Sequence, residues 1–281
     1  MTHPSPRVLL QRYGLRPKRS WGQNFLADDG VQEEIARLAV ERPGERVVEL
    51  GAGMGHLTAH LLARGARVVA VERDRDMARV LRGEFGDRIR LVEADAARVD
   101  LAAVAGEPEG PVAVAGNIPY HLTAPILFSL LDQARAVSRA VLLVQLEVAD
   151  RLAAAPGTRE WGLLSVLLQQ RGRVTRELRV PRGAFHPSPK VDSAVVRIDL
   201  HAREPHAADE ARFRRLVKAG FGQRRKTLRN ALEAARLAPR EAMGAALARA
   251  GIDPARRGET LTVEEWEGLD RELGAGGPSG A

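Results

Sequence analysis

Residues 46–56 read RVVELGAGMGH. Arg46 to Leu50 is a short β-branched run with the composition of a strand buried on both faces. Glycines at 51, 53 and 55 follow, and His56 to Ala63 then has the spacing of an amphipathic helix. Strand, glycine turn and helix in that order form the setting of a nucleotide-binding loop, because glycines let the backbone turn sharply and approach a ligand closely. A glycine turn selected for packing alone would look the same at this level.

Outward from that stretch the pattern repeats. Arg67 to Glu72 is a second strand, Arg75 to Arg82 a helix, Arg88 to Glu93 a third strand and Pro111 to Ala115 a fourth. Thr123 is placed to cap a helix with Pro125 in its first turn, ending near Leu131. Ala140 to Leu146 reads as a fifth strand and Gly162 to Gln170 as a helix. Val174 to Val180 and Ser193 to Leu200 have no helical pattern between them, which predicts an antiparallel pair with a long loop. The expected class is α/β, a mostly parallel, Rossmann-like sheet with helices on both faces.

Beyond Leu200 the texture changes. His201 to Ala208 is a polar connection, followed only by helical patterns over Glu210 to Gly220, Lys226 to Arg236, Arg240 to Ala250 and Val263 to Leu273. Thr262 and Glu265 form a capping box for the last. The expected organisation is residues 1–205 as the α/β domain with a basic N-terminal segment, 206–273 as a small all-α domain and 274–281 as a flexible, glycine-rich tail.

The chain has 281 residues, 44% of them hydrophobic, and no cysteine. That excludes a disulfide framework, a thiolate metal site and a cysteine nucleophile. No apolar stretch approaches membrane-spanning length and none near the start resembles a signal-peptide core, so the expected location is cytoplasmic. Net charge is +7, unevenly spread. Residues 1–27, 164–190 and 209–233 hold 19 of the 43 basic residues and 4 of the 36 acidic ones. The remainder is acidic, with 24 basic against 32 acidic residues. Basic segments on an acidic chain are the footprint of a polyanion binder, although any one of them could be a solvated face.

Glu72 falls about twenty residues after the glycine loop, where a carboxylate can accept both ribose hydroxyls of a nucleoside. The dinucleotide fingerprint would need its third glycine at position 56, which is His56 here. The spacing suits a nucleoside lacking a pyrophosphate, such as S-adenosylmethionine. Asp95 closes the third strand and should face the same crevice, and it is also placed to cap the following segment. The fourth strand ends in Asn117-Ile118-Pro119-Tyr120. An amide oxygen and a backbone carbonyl can draw the two hydrogens of a planar amino group while the tyrosine ring stacks on its base. The chemistry indicated is methyl transfer to adenine N6. His56 and His60, at i and i+4, read as a solvated helix face rather than a metal site, and no metal is expected.

These motifs, with residues 20–26 (SWGQNFL), 185–193 (FHPSPKVDS), 221–232 (FGQRRKTLRNAL), 251–254 (GIDP) and 259–261 (ETL), resemble the ribosomal RNA adenine dimethyltransferases over essentially the whole chain. Residues 221–232, and 251–254 taken with 259–261, resemble the bacterial branch that acts on small-subunit (16S) rRNA. The resemblance implies a seven-stranded class I methyltransferase fold, S-adenosylmethionine as donor, and dimethylation of two adjacent adenosines near the 3′ end of 16S rRNA in the immature 30S subunit by a monomeric enzyme. It places Asn24, Leu26, Gly51, Gly53, Glu72, Asp95 and Asn117 at the donor, and Asn117, Pro119, Tyr120 and Phe185 around the target base. Phe185 would be a second aromatic wall opposite Tyr120, or else a core residue. Lys190, Arg224, Arg225, Lys226 and Arg229 would grip RNA phosphates. Ile118 stands where the bacterial small-subunit members more often have Leu, a feature shared with the large-subunit resistance methyltransferases and eukaryotic relatives, and Trp161-Gly162 stands where Tyr-Gly is usual. Two other readings are a macrolide-resistance type 23S rRNA methyltransferase and a non-catalytic rRNA-binding assembly factor.

Overall fold

In a computed structural model of the chain, residues 3–18, 21–106, 110–200, 209–223 and 225–275 are described. The chain forms α1 (Pro6–Tyr13), β1 (Phe25–Leu26), α2 (Asp29–Ala39), β2 (Arg46–Leu50), α3 (His56–Ala63), β3 (Arg67–Val71), α4 (Arg75–Phe85) and β4 (Arg90–Val92). There follow α5 (Leu101–Ala105), β5 (Val112–Asn117), α6 (Thr123–Asp132), β6 (Val137–Gln145), α7 (Leu146–Leu152), α8 (Leu163–Arg171), β7 (Gly172–Val180), β8 (Phe185–His186) and β9 (Ser193–Leu200). The last elements are α9 (Glu210–Gly222), α10 (Leu228–Ala234), α11 (Arg240–Arg249) and α12 (Val263–Ala275).

Seven strands form one sheet in the order β4-β3-β2-β5-β6-β9-β7. The pairs from β4 to β6 are parallel and β9 runs antiparallel to β6. Ion pairs Arg173–Asp199 and Arg179–Asp192 join opposite ends of β7 and β9, which sets those neighbours antiparallel as expected. Strands β2, β3 and β5 are buried almost residue for residue because helices cover both faces, so their apolar runs do not alternate. From β2 the chain winds outward through β3 and β4, then crosses back to β5 on the other side of β2. Ligands bind outside the carboxyl ends of strands at such a reversal.

Contacts divide the chain into two units. The first, Met1–Ala149 with Arg173–Ala202, contains the sheet. The second contains Asp150–Gly172 as well as the C-terminal helices, a correction to the expected boundary at 205. The reason is packing within that unit: Trp161 is wholly buried and donates its indole N–H to the Leu261 carbonyl at 3.1 Å, and α8 packs on α9 and α12. Trp266 fills the same core against Gly220, where a Cβ would lie 2.3 Å from the indole.

Other corrections are local. Thr123 does not cap α6, because a 3-10 turn over Tyr120–Leu122 runs directly into the helix and leaves the Thr123 hydroxyl buried without a partner. α10 starts at Leu228, since the Thr227 side chain caps it through the Asn230 N–H. The capping box forms as read, Thr262 N–H to Glu265 at 2.8 Å and Glu265 N–H to Thr262 at 3.2 Å. α12 continues to Ala275, so the expected tail does not begin at Gly274; residues 276–281 and the connection 201–208 lie outside the described residues.

Candidate active site

β2 and β5 pair with Glu49 opposite Ala115, and continuing that register brings Gly51 level with Asn117. Gly116 makes this close approach possible: a Cβ there would stand 2.7 Å from the Leu50 carbonyl oxygen. The glycine loop and the end of β5 therefore share one wall of a cavity of about 330 Å³, within the range of small-molecule sites. It is lined by residues 21–26, 51–54, 71–73, 94–96 and 117–122 together with His56 and Met77.

The three loop glycines divide by role. Gly51 and Gly53 line the cavity at φ +73° and +57°, a left-handed backbone that side chains disfavour. Gly55 instead packs, because a Cβ there would lie 2.1 Å from the Phe85 ring. The Glu72 carboxylate crosses behind the loop, accepting the Gly53 N–H on Oε2 and the Asp74 N–H on Oε1, both at 2.7 Å. Burial raises its pKa above the ordinary carboxylate value, against those backbone donors. Asp95 accepts the Ala97 N–H at 3.0 Å in a turn rather than capping a helix, and its other oxygen lies 3.3 Å from Arg73.

Asn117 donates its side-chain amide to the Asn24 backbone carbonyl at 3.1 Å. The Asn24 side chain in turn donates to the Gly22 carbonyl at 3.2 Å, so at the rim Asn24 acts through both its amide and its backbone. Pro119 and Tyr120 also line the cavity, and the half-buried tyrosine is anchored by a 2.7 Å hydrogen bond between Oη and Ser193 Oγ. Burial is the main cause of the raised Tyr120 pKa, so the ring enters as a neutral phenol.

Phe185 takes the core place rather than the aromatic-wall place, a correction to the first of its two expected readings. It does not line the cavity; it pairs with Leu26 through the short β1–β8 ladder and packs in the sheet's core with Ile35 and Val195. Leu26 does line the cavity, so Phe185 supports its wall from behind. His56 is a second correction: it is 9% exposed, not solvated, and bonded to the Pro4 carbonyl at 3.1 Å. Burial lowers its pKa to about 4. Lys190, Arg225, Lys226 and Arg229 are exposed, Arg229 pairing with Glu233 at 2.7 Å, and Arg224 lies outside the described residues. No group of three metal-ligating side chains occurs among the described residues. Nor is any helix among them long and apolar enough to cross a membrane.

One clasp went unread in the sequence. Lys18 reaches Asp74 and Asp76 at 2.7 Å each, and Gln23 bridges the Lys18 N–H and Asp74, tying the segment before β1 to the start of α4. Contacts between side chains about fifty positions apart leave no periodic signal.

Residues 14–272 match the family described as ribosomal RNA adenine dimethylase. The chain belongs to that family. Among dimethylase relatives, the ribosomal RNA small subunit methyltransferase A of Anaeromyxobacter dehalogenans strain 2CP-C is 64% identical over 280 residues, covering 97% of this chain and 99% of the relative. The protein of the same name from Myxococcus xanthus is 54% identical over 96% and 95%. In structure, a 23S rRNA methyltransferase, ErmE, superposes with a TM-score of 0.68 at 29% identity, covering 89% of this chain and all of that one. A dimethyladenosine transferase from Plasmodium falciparum gives 0.74 at 23% identity over 90% and 98%, a likeness of fold. This dimethylase is thus a methyltransferase with the class I fold, carrying a helical C-terminal portion.

Proposed function

We propose that the chain dimethylates N6 of two adjacent adenosines in the 3′-terminal hairpin of 16S rRNA, four methyl groups in all, with S-adenosylmethionine as donor. It would act in the cytoplasm as a monomer, late in assembly of the small subunit. The observation that carries this reading is the shared cavity: Asn117, Pro119 and Tyr120 open into the same space as Gly51, Gly53, Glu72 and Asp95.

The residues present suit the donor. Gly53 leaves its backbone bare beside the Glu72 carboxylate, whose oxygens each keep a lone pair for a ribose hydroxyl. Asp95 can accept the amino group of the donor's adenine, and Leu26 and Met54 supply apolar contact. When bound, S-adenosylmethionine supplies an electrophilic methyl carbon.

The chain's own part is positioning. Asn117 Nδ2 is taken by the Asn24 carbonyl, which leaves Oδ1 to accept one adenine N6–H; the backbone carbonyl of Ile118 or Pro119 is placed to accept the other. Tyr120 holds the base by stacking, a contribution of roughly 1–3 kcal/mol. As N6 takes the methyl carbon, the carbon–sulfur bond would break and the donor would leave as the neutral thioether S-adenosylhomocysteine. N6, acidic once alkylated, would shed its proton to solvent, so no strong base is needed. Phosphates would be gripped by Lys190, Arg224, Arg225, Lys226 and Arg229.

Incubating the protein with donor and either immature 30S particles, free 16S rRNA or 50S subunits, then mapping the modified adenosines, tests the reading. Two dimethylated neighbours in 16S rRNA are expected. Modification confined to 23S rRNA would replace this reading with the resistance-type activity, and donor binding without transfer would leave an assembly factor.

A further inference from the structure

The chain has three tryptophans, and only one meets water. Trp161 and Trp266 are wholly buried, whereas Trp21 is 39% exposed at the rim of the cavity. Its setting is that of a platform. Lys18 Nζ and Arg73 Cζ each lie 5.3 Å from the centroid of its ring. Those cations are themselves anchored, Lys18 by Asp74 and Asp76 and Arg73 by Asp95, so the indole is held rather than loose. An exposed aromatic ring held in place is the surface on which an unstacked nucleobase stacks.

Its position spans the two halves of the site. Arg73, against the ring, follows Glu72 directly and pairs with Asp95 on the donor side. Gly22, the next residue, abuts the segment carrying Tyr120: a Cβ there would stand 3.3 Å from the His121 ring and 3.8 Å from Pro119. The nucleotide adjoining one held at Asn117 is tied to it by a single phosphodiester, which keeps it close to the cavity's rim. We propose that Trp21 is the stacking platform for the neighbour of the adenosine being modified, so that one base of the pair fills the cavity while the other rests on the indole. The assignment rests on the reading of the substrate as RNA with two adjacent adenosines.

Because the other two indoles are buried, a fluorescence change on ligand binding reports chiefly on Trp21. Titration of the full chain with a 16S 3′-hairpin RNA should quench emission, and the Trp21→Phe variant should lose that quench; S-adenosylmethionine alone should produce little. In steady-state transfer, Trp21→Ala should raise the KM for the hairpin about tenfold, the equivalent of losing one stacked base, while the dissociation constant for the donor stays within twofold. Trp21→Phe should recover most of the loss. An unchanged hairpin KM in Trp21→Ala would overturn the assignment, as would donor affinity falling in place of RNA affinity, which makes the ring a donor lid. Wild-type protein that methylates no small-subunit RNA defeats the substrate reading itself, whatever the variants do.

Discussion

The side-chain amide of Asn117 is bonded to the backbone carbonyl of Asn24, 93 positions away, at 3.1 Å. A carbonyl can only accept, so the amide nitrogen must face it and the oxygen must face the cavity. Asn24 thereby aims one of the two acceptors that the proposed chemistry uses. Asn117→Ala should lower transfer at least about 100-fold, as loss of a preorganised polar group does elsewhere, with donor affinity little changed. Calorimetry with S-adenosylmethionine beside a transfer assay separates the two; turnover near the wild-type rate would remove Asn117 from its role.

Gly116 is tested by its steric consequence. An added methyl would meet the Leu50 backbone oxygen at 2.7 Å and the Ile118 side chain at 3.1 Å, and a backbone atom between paired strands cannot yield cheaply. Gly116→Ala should cost about 1–3 kcal/mol of stability and shift Asn117 relative to Gly51. Misplacement of a reacting group by about 1 Å costs on the order of 100-fold in rate. Thermal unfolding and kcat would both have to remain at wild-type values for this account to fail.

What the sequence disclosed and what it hid divide along range of interaction. Strand β2, helix α3 and the loop between them were legible because β-branched runs, helical spacing and glycines are local signals. Asn117 to Tyr120 was legible because four unusual residues stand together. Phe185 stayed between two readings in the sequence: its pairing with Leu26 is made across about 160 positions, and an apolar ring in a core and one in a pocket wall have the same sequence appearance. His56 was misread because the segment that buries it, around His3 and Pro4, lies over fifty residues away. Glycines 53 and 55 look alike in sequence, yet only the second meets Phe85.

The Tyr120–Ser193 hydrogen bond predicts graded effects. Tyr120→Ala removes the stacking face and should raise the KM for RNA roughly 10- to 100-fold. Tyr120→Phe keeps the face and loses only the 2.7 Å anchor, as does Ser193→Ala from the other side, so each should cost only a few-fold. The double variant should be no worse than either single one if the bond is what both remove. Additive losses in that cycle would show that the two act separately.

Exposed Arg225 and Lys226 should act through charge alone. Changing both to Gln should weaken RNA binding and reduce the slope of log affinity against log salt by about two for duplex-like contacts. Filter binding at several salt concentrations reads the slope directly, and parallel lines for variant and wild type would place the phosphate contacts elsewhere.

Glu49 carries the clearest pH dependence. It sits in β2 just before the glycine loop, 2% exposed, with the Thr58 hydroxyl 2.5 Å from its carboxylate. Burial pushes its pKa from the ordinary 4.5 up to about 8, and the nearby Glu72 adds to the shift. Between those values the folded chain keeps a proton that the unfolded chain releases, so the unfolded state binds fewer protons and stability falls as pH rises. The loss should begin above about pH 4.5 and level off once the pH passes about 8. Glu49→Gln keeps the shape without the titration, and its Tm should lose this component of the decline between pH 5 and pH 9. Superimposable Tm profiles for the variant and the wild type across that range would mean that Glu49 is ionised in the folded protein.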